Sequence, residues 1–161
     1  MFNWFRRKKS PERCVEEIVN KYFDSPQGMS DEDYSKLKDC LENWNEHNNP
    51  MYLGAMAYVR YREGALNKMW DYIEKDLHLD LGDEEHGAFI PAMFADVDPK
   101  LRYEILLKIH RHLNSPLALE IMARLAEEVG KRDETITLLK DYLDRNPGDR
   151  KIRKVLEELE G

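Results

Sequence analysis

The chain predicts an all-α protein, an α-solenoid of antiparallel helical hairpins with a C-terminal capping helix. Three observations carry that expectation. Apolar residues recur at three- and four-residue steps along most of the chain. Clusters of Gly, Pro and Asn cut those stripes into helix-sized pieces. No segment alternates polar and apolar residues as a strand would. Residues 1–9 form a basic, aromatic tail, and residues 10–161 a single helical repeat domain.

The first helix opens at Ser10-Pro11, carries Cys14, Val15, Ile18, Val19 and Tyr22, and stops near Asp24-Ser25-Pro26. Ser30 with Asp33 approximates a capping box and starts a second stripe of Tyr34, Leu37, Leu41 and Trp44. His47-Asn48-Asn49-Pro50 breaks it. Leu53, Met56 and Ala57 belong to the next helix, which ends at Gly64, and Leu66, Met69, Trp70, Ile73 and Leu77 make its partner. Residues 84–95 and 100–113 supply a further helical pair, with Pro91 predicting a kink or a shortened helix. Ile152, Val155, Leu156 and Leu159 form the last helix, whose charged outer face suits a cap.

The clearest hairpin spans residues 116–149. Ser115 N-caps a helix beginning at Pro116, and Leu119, Met122, Leu125, Ala126 and Val129 share one face. Gly130 supplies a left-handed stop. A second stripe of Ile136, Leu139, Tyr142 and Leu143 runs to Asn146-Pro147-Gly148. With Leu119, Met122, Ala123, Gly130 and Pro147 at their spacings, this segment resembles a tetratricopeptide repeat over about a fifth of the chain. Ala126, Thr135 and Tyr142 depart from that pattern. Leu53, Met56, Ala57 and Gly64 repeat the spacing sixty-six residues earlier, close to two repeat periods. Asp98, Pro99 and Arg102 resemble the start of a HEAT-type helix.

The resemblance implies that the first helix of each hairpin lines a concave, partner-binding face. Its outward positions in the early unit are Met51, Tyr58, Tyr61 and Arg62. In the late unit they are Leu117, Glu120, Arg124, Glu127 and Glu128. Tyrosine and arginine suit binding hot spots because each buries much area while offering hydrogen bonds. The competing reading packs Tyr58 and Tyr61 into a neighbouring helix. The family's clamp for a peptide carboxylate needs basic and amide side chains where Gly54 and Glu120 stand, so that specificity is not expected.

A net charge of −7 argues against general nucleic-acid binding, which needs basic surface to displace counterions. The expected partner is a protein or peptide, with basic residues matching the acidic late unit. Cys14 and Cys40 show no metal-ligand spacing and read as small buried apolar residues in a reducing, cytoplasmic setting. Phe2, Trp4 and Phe5 precede Arg6, Arg7, Lys8 and Lys9, a combination that suits weak peripheral contact with an anionic membrane. The alternative is a frayed tail, or aromatics folded back on the first helices.

No phosphate-binding glycine loop, nucleophile elbow or HExxH motif occurs. His78, Asp80, Asp83, Glu84, Glu85 and His86 crowd one expected loop, yet Leu81 and Gly87 replace key calcium-loop positions. His110 and His112 lie two apart on a helix and point to different faces. The expectation is therefore a non-catalytic adaptor or assembly scaffold with no catalytic residue, metal site or cofactor. The alternatives are a small metal-dependent hydrolase using the acids between His78 and His86, or an acidic inhibitor of the immunity type.

Overall fold

The computed structural model describes residues 10–161, and within them it is helical with no strand. The tail contact expected of Phe2, Trp4, Phe5, Arg6, Arg7, Lys8 and Lys9 lies outside the described residues. The helices are α1 (Pro11–Tyr22), α2 (Asp31–Glu42), α3 (Pro50–Arg62), α4 (Leu66–Leu77), the single turn α5 (Phe89–Ala92), α6 (Pro99–Leu113), α7 (Pro116–Leu125), α8 (Arg132–Arg145) and α9 (Arg150–Glu160). No helix of the described residues is long and apolar enough to cross a membrane.

Helix starts follow local chemistry. Ser10, Ser30, Ser115 and Asp149 each accept a backbone N–H three residues on, satisfying a donor that the helix leaves unpaired. Asn49 and Asp98 cap at shorter range, accepting from Met51 and Lys100. Pro11, Pro50, Pro99 and Pro116 stand in the first turn, where a missing N–H costs nothing. Gly64 and Gly130 take positive φ (80° and 72°) and turn the chain out of α3 and the α7 segment.

The extensive contacts all run between helices one or two places apart in the chain. Neighbours pair as α1/α2, α3/α4, α6/α7 and α8/α9, and α1 also meets α3, α3 meets α5, and α7 meets both α8 and α9. Polar ties reinforce these contacts. The Lys108 ammonium meets Glu74 at 2.6 Å between α6 and α4, and the Tyr103 and Thr135 hydroxyls share a 2.8 Å hydrogen bond between α6 and α8. The Tyr22 hydroxyl donates to Asp33, joining α1 to α2. Packed neighbouring helices of this kind are compatible with a helical repeat fold.

The interior falls into two clusters. One gathers Val15, Val19, Tyr22, Leu37, Leu53 and Tyr58, and the other Met69, Ile73, Leu106, Ile109, Leu119, Met122 and Leu139. Tyr61, Tyr72 and Leu101 pack against both. The α5 segment is shared, with Ile90 and Phe94 in the first cluster and Phe89 and Met93 in the second.

Two expectations are corrected. Residues 84–95 do not form a full helix: a 3-10 turn at Asp83–Glu85 is followed only by α5. Pro91 has no N–H to extend the ladder, and the N–H groups of Gly87 and Ala88 are turned to the Asp76 carboxylate. Cys14 and Cys40 are not free thiols. They are joined in a disulfide between α1 and α2, with a Cα–Cα distance of 6.2 Å, inside the range such bridges require.

Close backbone approach fixes α3 against the 86–88 segment. A Cβ on Gly87 would sit 1.7 Å from the Pro50 carbonyl oxygen, and one on Gly54 2.1 Å from the Gly87 oxygen. The nearest obstacle at each is a backbone carbonyl, which no side-chain rotation can clear. Gly87→Ala should therefore lower the unfolding free energy by about 3 kcal/mol or more in urea titrations, while Gly148→Ala, with nothing near its Cβ, should leave it within about 0.5 kcal/mol. Replacing Cys14 and Cys40 together by Ser should cost about 3 kcal/mol by closing no loop in the unfolded chain. An unchanged midpoint after reduction would show that the bridge adds nothing.

Candidate functional site: grooves beside α3 and α7

The early residues expected to face a groove are mostly spent inside the chain. Tyr58 is fully buried, so its expected outward position on a binding face is corrected. Its ring meets Phe94 edge-on at 4.8 Å and Tyr34 at 6.3 Å, and its hydroxyl donates to Asp96 at 2.5 Å. Burial, then the bond to Asp96, pushes that hydroxyl well above its ordinary pKa. Tyr61 is half-buried and accepts from the Asp98 N–H at 3.1 Å. The Arg62 guanidinium lies 4.2 Å from the Tyr34 ring centre, donates to the Met29 carbonyl and Tyr58 hydroxyl at 3.1 Å each, and pairs with Asp31 at 2.6 Å. These four partners make it a clamp between α3 and the start of α2. Met51 is half-buried and lines a separate cleft between α1, α3 and the 84–90 segment.

The late residues converge. Glu120 and Arg124 of α7 and Glu127 of the turn after it face Glu158 of α9 across a groove of about 300 Å³, floored by Ala123, Val155 and Leu159. Glu120 and Arg124, four residues apart, share one face of α7. Glu120 takes Arg124 at 3.7 Å and Lys151 of α9 at 3.3 Å. Glu127 and Glu158 stay exposed on the rim. Glu128 is exposed but does not line this groove. An apolar floor with an acidic rim can accept an amphipathic segment carrying lysine or arginine.

Four of the acids and histidines expected to crowd the 78–86 loop are engaged inside the chain, whereas Asp80 and Glu84 are exposed. His78 is tied to the Glu74 carbonyl at 2.7 Å and lies against His112. Asp83 accepts the Ser115 hydroxyl at 2.8 Å, and Glu85 accepts the Gly82 N–H at 3.2 Å. His86 is buried, with Nδ1 3.0 Å from the Asp76 carbonyl and 3.3 Å from its carboxylate. Among the described residues no three such side chains surround one point as metal ligands would.

Asp76 of α4 is fully buried yet accepts from the Gly87 and Ala88 N–H groups at 2.8 and 2.9 Å. Its signal was present: Asp76 stands three residues after Ile73 and seven after Met69, on the apolar stripe of α4. Burial pushes its carboxyl above the ordinary range, against the pull of those two N–H groups and of His86.

No protein-family model, curated protein or solved structure matches the chain.

His110 gives a pH test. It is buried at the end of α6, its Nδ1 has no partner, and burial lowers its pKa below the ordinary 6.5. The Ser115 backbone and Asp83 pull the other way, while Arg145 and Arg111 add to the fall. The unfolded chain thus takes up a proton that the folded one resists, so stability is lost as pH falls from about 7. Urea midpoints should drop between pH 7 and 5, and His110→Gln should flatten that slope. Asp76 has the opposite sign, its contribution declining as pH rises through its own raised value, so the difference between the two proteins isolates His110.

Proposed function

We propose that this protein is a non-catalytic interaction module, an adaptor or assembly scaffold. It is built as an open stack of helical hairpins with tetratricopeptide-like geometry, capped by α9, and binds a protein or peptide segment in the groove between α7 and α9. The observation that carries this reading is the convergence of Glu120, Arg124 and Glu127 with Glu158 on one apolar-floored cleft. Contacts limited in their bulk to helices one or two places apart favour an open stack, since a closed bundle would pack its first helices broadly on its last. In such a stack the helices present their side chains along a continuous face, and recognition needs no moving part. The acidic rim selects a basic partner and speeds its encounter, while Ala123, Val155 and Leu159 provide the surface that must be desolvated for affinity.

The test is charge reversal on exposed positions that carry no part of the core. Affinity capture from extracts of the source cells should retain a partner with wild type and lose it with Glu127→Lys/Glu158→Lys. The purified partner should then bind the variant at least about tenfold more weakly by calorimetry, a difference of about 1.4 kcal/mol, with unchanged helicity. Equal affinity for the two proteins removes the α7–α9 groove from the function.

A further inference from the structure

The α7–α9 groove does not end at α7. Arg124 lines it and also lines a second groove, of about 380 Å³, toward α5 and α6. Met93, Ile121 and Leu125 give that second groove an apolar floor. One wall is the loop after α1. It is held by a hydrogen bond from the Asp24 N–H to the Met93 carbonyl at 3.0 Å and by an antiparallel bridge between Phe23 and Phe94.

The two grooves differ in sign. The first sets Glu120, Glu127 and Glu158 against Arg124, whereas the second sets Arg102 and Arg124 against Asp24. In a chain of net charge −7, two arginines on one apolar floor are a local reversal. Both keep donors in hand. Among the described residues Arg102 donates only its Nε, to the Val97 carbonyl at 3.0 Å. Arg124 is exposed and stands 3.7 Å from Glu120, too far for a hydrogen bond. A guanidinium with free N–H groups takes a carboxylate through two parallel bonds, which fixes the position of the acid as well as its charge.

We infer that the two grooves form one trough that reads a charge pattern in its partner. The bound segment carries an aspartate or glutamate that docks on Arg102 and Arg124, and a lysine or arginine that lies against Glu127 and Glu158. Crossing one helix, about 8–10 Å, takes about three residues of extended chain, so the acid and the base stand about three or four residues apart. The apolar residues between them cover Leu125 and Ala123. This inference rests on the proposed use of the α7–α9 groove and adds a second half to it.

The test is a double-mutant cycle read by nuclear magnetic resonance titration of the full chain at physiological salt. The probe is the acetylated, amidated heptapeptide Asp-Asp-Leu-Ala-Leu-Lys-Lys, compared with the same peptide carrying asparagine for both aspartates. The first peptide should give saturable shifts at the amides of Ala95, Ile121 and Leu125 as well as along α9. Asparagine in the peptide, or Arg102→Gln in the protein, should each weaken binding at least about fivefold, and the two together no more than either alone. Arg124→Gln, at an exposed position, runs the same cycle without touching the bond from Arg102 to Val97. Equal affinity for the two peptides, or losses that multiply in both cycles, would overturn the trough. So would the lack of saturation by millimolar peptide, or shifts that follow protein concentration without peptide, which would make the occupant a second copy of this chain. Glu127→Lys/Glu158→Lys separates the two readings. If it weakens the first peptide while neither cycle shows coupling, the α7–α9 groove stands and only its extension fails; if it changes nothing, the α7–α9 reading itself fails and the trough with it.

Discussion

The buried carboxylate of Asp76 is the constraint on which the rest of the structure hangs. A charge inside a helical protein is tolerated only when its oxygens are filled, and here Gly87, Ala88 and His86 fill them. Those bonds draw the 86–88 backbone onto α4 and, through the Gly54–Gly87 crossing, onto α3. The α5 turn that follows is thereby placed between the two hydrophobic clusters and contributes side chains to both. Ala57, Met69, Ile73 and Leu77 of α3 and α4 also reach into the second cluster, and Tyr61, Tyr72 and Leu101 pack against both.

The same anchor shapes the surface. An uninterrupted helix over residues 84–95 would lay a full rod beside α3. A single turn instead leaves the cleft bounded by Glu12, Phe23, Met51 and Glu84. The early polar network of Tyr58, Arg62, Asp96 and Asp31 then serves cohesion, since each of its groups already has a partner inside the chain. The late groove keeps exposed carboxylates on its rim. Residues of similar type thus divide between holding the molecule together and facing outward, and the division follows which helix faces remain uncovered.

Much of the architecture was legible because it is local. Caps such as Ser30 and Ser115, first-turn prolines and the positive-φ glycines act within a few residues, so the boundaries of α1, α6 and α8 follow from the chain almost directly. Misreadings arose where distant groups decide. Cys14 and Cys40 are each apolar-looking within their own helices, and only the packing of α1 on α2 brings them together. Tyr58 looks like a groove residue by spacing, but Phe94 and Tyr34 close over it from other elements. On α7 the helical period was enough to place Glu120 and Arg124 on one face, while the turn after it brought Glu127 alongside and α9 supplied the opposite wall.

The sequence by itself determined an all-helical chain, the position of most helices and a net negative charge. Those properties arise from backbone chemistry, side-chain periodicity and total charge, none of which needs a neighbour. Tertiary structure alone decided the disulfide, the burial of Asp76 and His86, the glycine crossing and the clefts. Each of these depends on groups ten or more residues apart meeting at a few ångströms, a distance that spacing along one helix does not encode.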